Sequence, residues 1–184
     1  MRQCLVVVTG GPGAGKSSLI RELARRGFRA VPESGRAIIR EEVARGGTAL
    51  PWADRAAYAN LMLQRDQRAF AEARRLPGPV LFDRGLPDIL GYLTLCGLPV
   101  PDPLTRAVRR LRYDRQVFLA PWWEEIYVRD SERKQAPEEA AATCAVMAEV
   151  YTGLGYDLVE LPKLPVEARA DFVLSRLGIG RGDA

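Results

Sequence analysis

Gly10-Gly11-Pro12-Gly13-Ala14-Gly15-Lys16-Ser17 follows a pattern of glycine, four residues, then Gly-Lys-Ser, with Ser18 behind it. Each residue type suits phosphate chemistry. Glycines let the backbone turn tightly with its N–H groups facing inward, so that the amides from Gly11 to Ser18 can cradle phosphate oxygens. A helix opening near Lys16 adds the positive end of its dipole. Lys16 is spaced to reach β- and γ-phosphates, and the Ser17 hydroxyl to ligate Mg²⁺. The stretch predicts a nucleoside triphosphate bound with Mg²⁺.

Other residues could complete that chemistry. Asp83 ends an apolar run, where a carboxylate can hold Mg²⁺ beside the loop. Capping of the next turn is its structural alternative. Arg84 could grip a substrate or the transferred phosphoryl group, or form a surface ion pair. Glu33 follows Pro32 and could take the proton of an attacking hydroxyl, act behind the metal ligands, or cap a helix. The sequence does not decide between Glu33 and Asp83 as the base, and Arg36 can join or pair with Glu33. Arg129 and Arg133, in a charged run with Asp130, Glu132 and Lys134, could reach the developing charge from a lid over about 122–136, or form a solvated loop. Trp122 and Trp123 could stack on a base or sugar, or anchor the core. Asn60, Gln64 and Gln67 could line one helical face toward a substrate, or face solvent. A purine could rest on Pro162-Lys163-Leu164-Pro165. No Asn-Lys-x-Asp run is present to read guanine, which favours ATP and leaves GTP open.

Composition narrows the classes. The 184 residues, 47% hydrophobic, suit one domain with a full core. The chain contains no histidine, so histidine bases, triads and zinc–histidine sites are excluded, and catalysis falls to carboxylates, Lys, Arg and a metal. Cys4, Cys96 and Cys144 are far apart, lack metal-ligand spacing and suit free thiols in the cytoplasm. A net charge of +4 fits anionic substrates. No dense basic block interleaved with aromatics points to nucleic acid, and no apolar run points to a membrane.

These residues need elements to hold them. Short apolar runs at 4–9, 28–31, 80–82, 116–119 and 157–161 read as buried strands. Between them lie helical stretches: one from the glycine loop to Gly27, one through Ile38 to Gly46, about Trp52–Arg75, Asp88–Cys96, Thr105–Tyr113, Pro137–Leu154 and Pro165–Leu177. Residues 179–184 read as a tail beyond a single domain over 1–178. The alternation predicts an α/β fold with a five-stranded parallel sheet flanked by helices. In such sheets ligands bind beyond the carboxyl ends of the strands, where the glycine loop, Glu33 and Asp83 all fall.

Gly10 to Ser18, Pro32-Glu33-Ser34-Gly35-Arg36, Phe82-Asp83-Arg84-Gly85, Glu132-Arg133-Lys134 and Gly155-Tyr156-Asp157 together resemble the AAA-domain family of small predicted ATPases and kinases. That family includes the ribosylnicotinamide kinase domain of a bacterial regulator of NAD biosynthesis. More distantly, the chain is similar to nucleoside and nucleoside-monophosphate kinases. The resemblance implies a P-loop kinase-like fold with a lid. It implies that Glu33 matches the carboxylate serving as base in deoxynucleoside kinases. It also sets Asp83-Arg84-Gly85 against their acidic-Arg-Ser motif, with Gly85 where serine is usual. The leading expectation is an ATP- and Mg²⁺-dependent phosphotransferase acting on a small, nucleoside-like acceptor. A switch whose acceptor is water, working with a protein partner, and a nucleotide-binding module with negligible turnover are the alternatives.

Overall fold

The computed structural model describes residues 3–126 and 137–179. Five parallel strands form one sheet: β1 (Cys4–Gly10), β2 (Arg29–Val31), β3 (Pro79–Asp83), β4 (Gln116–Ala120) and β5 (Asp157–Glu160), in the order β2-β3-β1-β4-β5. The helices are α1 (Lys16–Arg25), α2 (Ser34–Arg45), α3 (Arg55–Ala73), α4 (Leu86–Leu95), α5 (Asp102–Arg110), α6 (Pro137–Gly153) and α7 (Val166–Arg176). A short 3-10 helix at Glu124–Ile126 follows β4.

The alternation of side chains along β1 explains why both faces of the sheet are covered. Val6 and Val8 turn to one face, where they pack with Leu81, Phe118, Leu19 and Leu23 of α1, and Val173 of α7. Leu5 and Val7 turn to the other, against Phe82, Met62 of α3, Ile89 of α4 and Tyr151 of α6. Each fully buried side chain of this size contributes roughly 1.5–3 kcal/mol. The central position of β1 therefore holds the glycine loop at the end of a strand buried on both faces.

Register then places the chemistry. Val8 of β1 stands beside Asp83 of β3, and Val31 of β2 beside Phe82. The loop after β1, Glu33 just beyond β2, and Asp83 thus share one edge of the sheet. Chain direction diverges at β1, with β3 on one side and β4 on the other, and ligands of open α/β sheets bind at such a divergence.

The element order matches the sequence reading, with shifted boundaries. Helix α3 starts at Arg55 and not near Trp52, because the Asp54 carboxylate accepts the Ala57 N–H at 2.9 Å and caps it. Trp52 stays in the preceding turn, 65% exposed. Helix α4 begins at Leu86, ahead of Asp88, and α5 at Asp102, ahead of Thr105. In both, proline occupies the first turn, where its missing N–H costs nothing. Among the described residues no helix is long and apolar enough to cross a membrane.

Candidate active site

Strand β1 delivers the chain into the loop through Gly10, where an added Cβ would strike the carbonyl of Ala120. Gly13 and Gly15 both have φ of +75°, a left-handed conformation that glycine adopts without penalty. Gly15 is the residue before α1, and no side chain caps that helix. Its first-turn N–H groups are left for an anion, as a phosphate loop requires.

Lys16 is buried and folds back over the loop. Its ammonium donates to the carbonyls of Gly11 at 2.6 Å and Gly10 at 3.2 Å. Burial, with help from the Arg84 charge, holds its pKa down to about 8 against the pull of Asp83, Glu33 and Asp88. Ser17 points the other way, and its hydroxyl donates to Asp83 Oδ2 at 3.1 Å. The second Asp83 oxygen, Oδ1, is buried without a hydrogen-bond partner. An orphaned buried carboxylate oxygen is costly, and burial raises the Asp83 pKa despite the nearby Lys16 charge. A hydroxyl and a carboxylate in contact, with one anionic oxygen free, fit a hard divalent cation that takes oxygen ligands and completes its shell with water and phosphate. Asp83 does not cap the following turn; Asp88 does that.

Glu33 precedes α2 but makes no capping hydrogen bond. Its two oxygens face Arg84 Nε at 3.4 Å and Arg36 Nε at 3.3 Å. Burial pushes its pKa up, and the charges of Arg84, Lys16 and Arg36 together overcome that and hold it below the ordinary glutamate value. The carboxylate is therefore kept ionised within a ring of cations.

Arg84 has φ of +72° and is the only non-glycine among the described residues in the left-handed region. Such a conformation costs of order 1–3 kcal/mol and persists where surrounding contacts over-determine it. Here those contacts are Glu33 and Asp88, with Nη1 donating to Asp88 Oδ1 at 2.9 Å. Burial works to lower the Arg84 pKa, but Glu33, Asp88 and Asp83 outweigh it, so the guanidinium is firmly charged.

Asp88 is the residue that sequence reasoning missed here, having taken it only as the start of a helix. It accepts four hydrogen bonds: Thr9 Oγ1 at 2.6 Å and Arg84 Nη1 on one oxygen, Tyr151 Oη at 2.7 Å and the Gly85 N–H at 2.9 Å on the other. It ties β1, the β3–α4 turn and α6 together at the point where Arg84 is strained. The available signal was its spacing of four from Arg84, which on a helical turn brings the two side chains together.

The structure thus gathers Lys16, Ser17, Glu33, Asp83 and Arg84 at one end of the sheet. Arg129 and Arg133 lie outside the described residues, as does most of the 122–136 segment. Asn60 and Gln64 are exposed on α3; the face turned inward carries Tyr58, Met62 and Asp66 instead. Trp122 and Trp123 are half-buried beside the loop, with the Arg169 guanidinium 6.0 Å from the Trp123 ring centre. Arg169, from α7, was also missed. It donates to the Ala14 carbonyl at 3.1 Å.

The same architecture occurs in known kinases. Deoxyadenosine kinase from M. mycoides, solved with the products dCMP and a flexible dCDP, superposes with a TM-score of 0.67 at 17% identity, covering 95% of this chain and 98% of that one. NadR protein in complex with NR gives 0.67 at 20% identity, over 97% of this chain and 52% of that one. Shikimate kinase from Acinetobacter baumannii, in complex with shikimate, gives 0.55 at 14% identity, over 96% and 94%. At such identities the likeness is one of fold, that of P-loop kinases. No curated protein matches the sequence. The family model described as AAA domain matches residues 5–169, which takes in the glycine loop, Glu33, Asp83 and Arg84 in one span. The chain accordingly belongs to the AAA domain family, built on the P-loop kinase fold.

Proposed function

We propose that the protein is an ATP- and Mg²⁺-dependent phosphotransferase that moves the γ-phosphoryl group to a hydroxyl of a small, nucleoside-like acceptor. The observation that carries this is the pairing of Ser17 with Asp83, whose Oδ1 is buried and unpartnered, next to the Glu33–Arg84 pair. One half of that constellation suits a metal-bound triphosphate, and the other suits an acceptor hydroxyl.

The loop amides from Gly11 to Ser18 and Lys16 bind the phosphates in this reading. Ser17 and Asp83 would hold Mg²⁺, which when bound neutralises phosphate charge and orients the transferred group. Glu33, kept ionised by its cations, is the candidate base for the acceptor proton. Asp83 is less suited to that role, since it is paired with Ser17, with which it would hold the metal. Arg84, held by Asp88, would stabilise charge developing on the transferred group, and Arg129 and Arg133 would join it. The kinase fold of the solved neighbours and the small acceptors named with them, NR and shikimate, support the class of reaction. Cysteines without a disulfide among the described residues support work in the cytoplasm.

The test is ADP formation from Mg-ATP and from Mg-GTP, with and without a panel of nucleosides, nucleotides, sugars and small alcohols, with products read by mass spectrometry. A phosphorylated acceptor absent in K16A is the expected result. Free phosphate released at a rate that no acceptor changes would overturn the transfer reading and favour hydrolysis.

A further inference from the structure

Arg169 lies on the first turns of α7, 3% exposed. Buried guanidinium groups are ordinarily paired with a carboxylate. Among the described residues none pairs with this one. Its one hydrogen bond runs from Nη2 to the backbone carbonyl of Ala14, inside the phosphate loop. Its Nε is buried without a partner. Burial lowers its pKa, and no charge among the described residues contributes. By contrast Arg26, which ties the end of α1 to α7, is neutralised by Glu22 and Asp171.

The placement is specific. Nη1 would stand 2.6 Å from a Cβ added at Gly15 and Cζ 3.8 Å, so the tip of the guanidinium points at the residue that precedes Lys16. Ile126 Cδ1 closes on the same point at 3.2 Å, and the Trp123 ring centre lies 6.0 Å from the guanidinium. Only glycine leaves room for this arrangement. The cation is thus built into the outer wall of the loop, between the loop and the segment that follows β4.

We propose that Arg169 is a positioning residue of the nucleotide site: it holds the phosphate loop through Ala14, and its buried charge is balanced by the phosphates of the bound nucleotide. The inference rests on the triphosphate reading of the loop. An uncompensated cation raises the free energy of the empty site, and an anion arriving in the adjacent cradle lowers it. Arg169 therefore trades stability of the empty protein for affinity.

The experiment compares wild type, R169M and R169K by thermal unfolding without ligand, and by calorimetric binding of Mg-ATP and Mg-tripolyphosphate. R169M is expected to unfold at or above the wild-type midpoint when empty, and to bind both ligands about tenfold more weakly. R169K, which keeps the charge, should stay within about threefold of wild type for both. An R169M protein that unfolds earlier than wild type, or does not fold, would show the arginine to be structural cement and overturn the proposal. So would unchanged affinity in R169M, a loss confined to ATP, which would place the effect on the base, or an R169K loss as large as that of R169M. Failure of wild type to bind either ligand would instead refute the triphosphate reading, and this inference with it.

Discussion

Replacing Lys16 with methionine should stabilise the empty protein at neutral pH and abolish its function. The ammonium is buried, and its pKa is held down to about 8 from 10.5. Each tenfold loss of proton affinity is worth roughly 1.4 kcal/mol, so the charged lysine costs the empty fold about 3 kcal/mol at pH 7. Methionine removes that cost and matches the chain in length. It also strips a donor from the Gly10 and Gly11 carbonyls, at about 1 kcal/mol each. The net gain is about 1 kcal/mol, or a rise of about 2–4 °C in the unfolding midpoint for a domain of this size. The pH dependence is the sharper signature. A lysine with a depressed folded pKa contributes stability above the unfolded value, lost as pH falls through the folded one. Wild type should therefore gain on K16M between pH 8 and 10.5, at about 1.4 kcal/mol per pH unit, and overtake it at about pH 9. Thermal unfolding of both proteins from pH 7 to 10.5 reads this directly, and Mg-ATP affinity should fall about a hundredfold or more in the variant. A midpoint difference that stays constant across the range would refute the assignment of buried strain to Lys16.

Glu33→Gln should lower acceptor-dependent turnover by about 10²–10⁴ while Mg-ATP affinity stays within about threefold, as expected of a lost proton acceptor; calorimetry beside product assays checks both. Asp83→Asn should raise the Mg²⁺ concentration needed for half-maximal ATP binding by about 10–100-fold, in keeping with the effect of disturbing a metal's coordinating groups; a titration with Mg²⁺ at fixed ATP reads it. Asp88→Asn breaks a carboxylate that accepts four hydrogen bonds, and should cost about 3 kcal/mol, or about 6–12 °C in midpoint, with loss of turnover as Arg84 is released. Asp66, on the inner face of α3, has its pKa pushed up to about 7 by burial, only partly offset by the nearby Ser34 hydroxyl. A raised folded pKa contributes stability at low pH that is lost as pH rises through 7, so Asp66→Asn should remove the decline in midpoint between pH 4 and 7, a window separate from that of Lys16.

The strands, the loop and the edge of the sheet that gathers the site were legible because each rests on a local signal. Apolar runs ending in Gly10 and Asp83 give both a strand and the position of its end. The loop pattern needs only eight consecutive residues. What escaped depends on contacts across the chain. Asp88 reads as an ordinary first-turn acid until Thr9 and Tyr151, 79 and 63 residues away, are seen to converge on it. Arg169 sits in a helix whose sequence shows only an amphipathic stripe; its meaning comes from Ala14, 155 residues earlier. The polar face of α3 misled for a related reason. Asn60 and Gln64 have the right chemistry, but the buried stripe through Tyr58 and Met62 rotates them outward and brings Asp66 in.

Lys16, Arg84 and Arg169 separate by the company they keep. Arg84 is strained in its backbone but satisfied in its charge, and Glu33, Asp88 and Asp83 strengthen its hold on its proton. Lys16 and Arg169 lie on the other side of that line. Among the described residues both hydrogen-bond only backbone carbonyls of the loop, and burial weakens the hold of each on its proton. In the proposed reaction the two sets have different work. Cations left without a carboxylate belong to the phosphates, whose arrival supplies the missing charge. A cation already shared between two carboxylates cannot be a free grip for phosphate, because any new anion must first compete with Glu33. Loosening the Glu33–Arg84 pair, 3.4 Å apart, would release the base and the guanidinium in one movement. The acceptor hydroxyl and the transferred phosphoryl group are the partners each would then take. On this account removal of Glu33 frees Arg84 for phosphate, so Glu33→Gln should bind Mg-ATP no more weakly than wild type even as transfer fails.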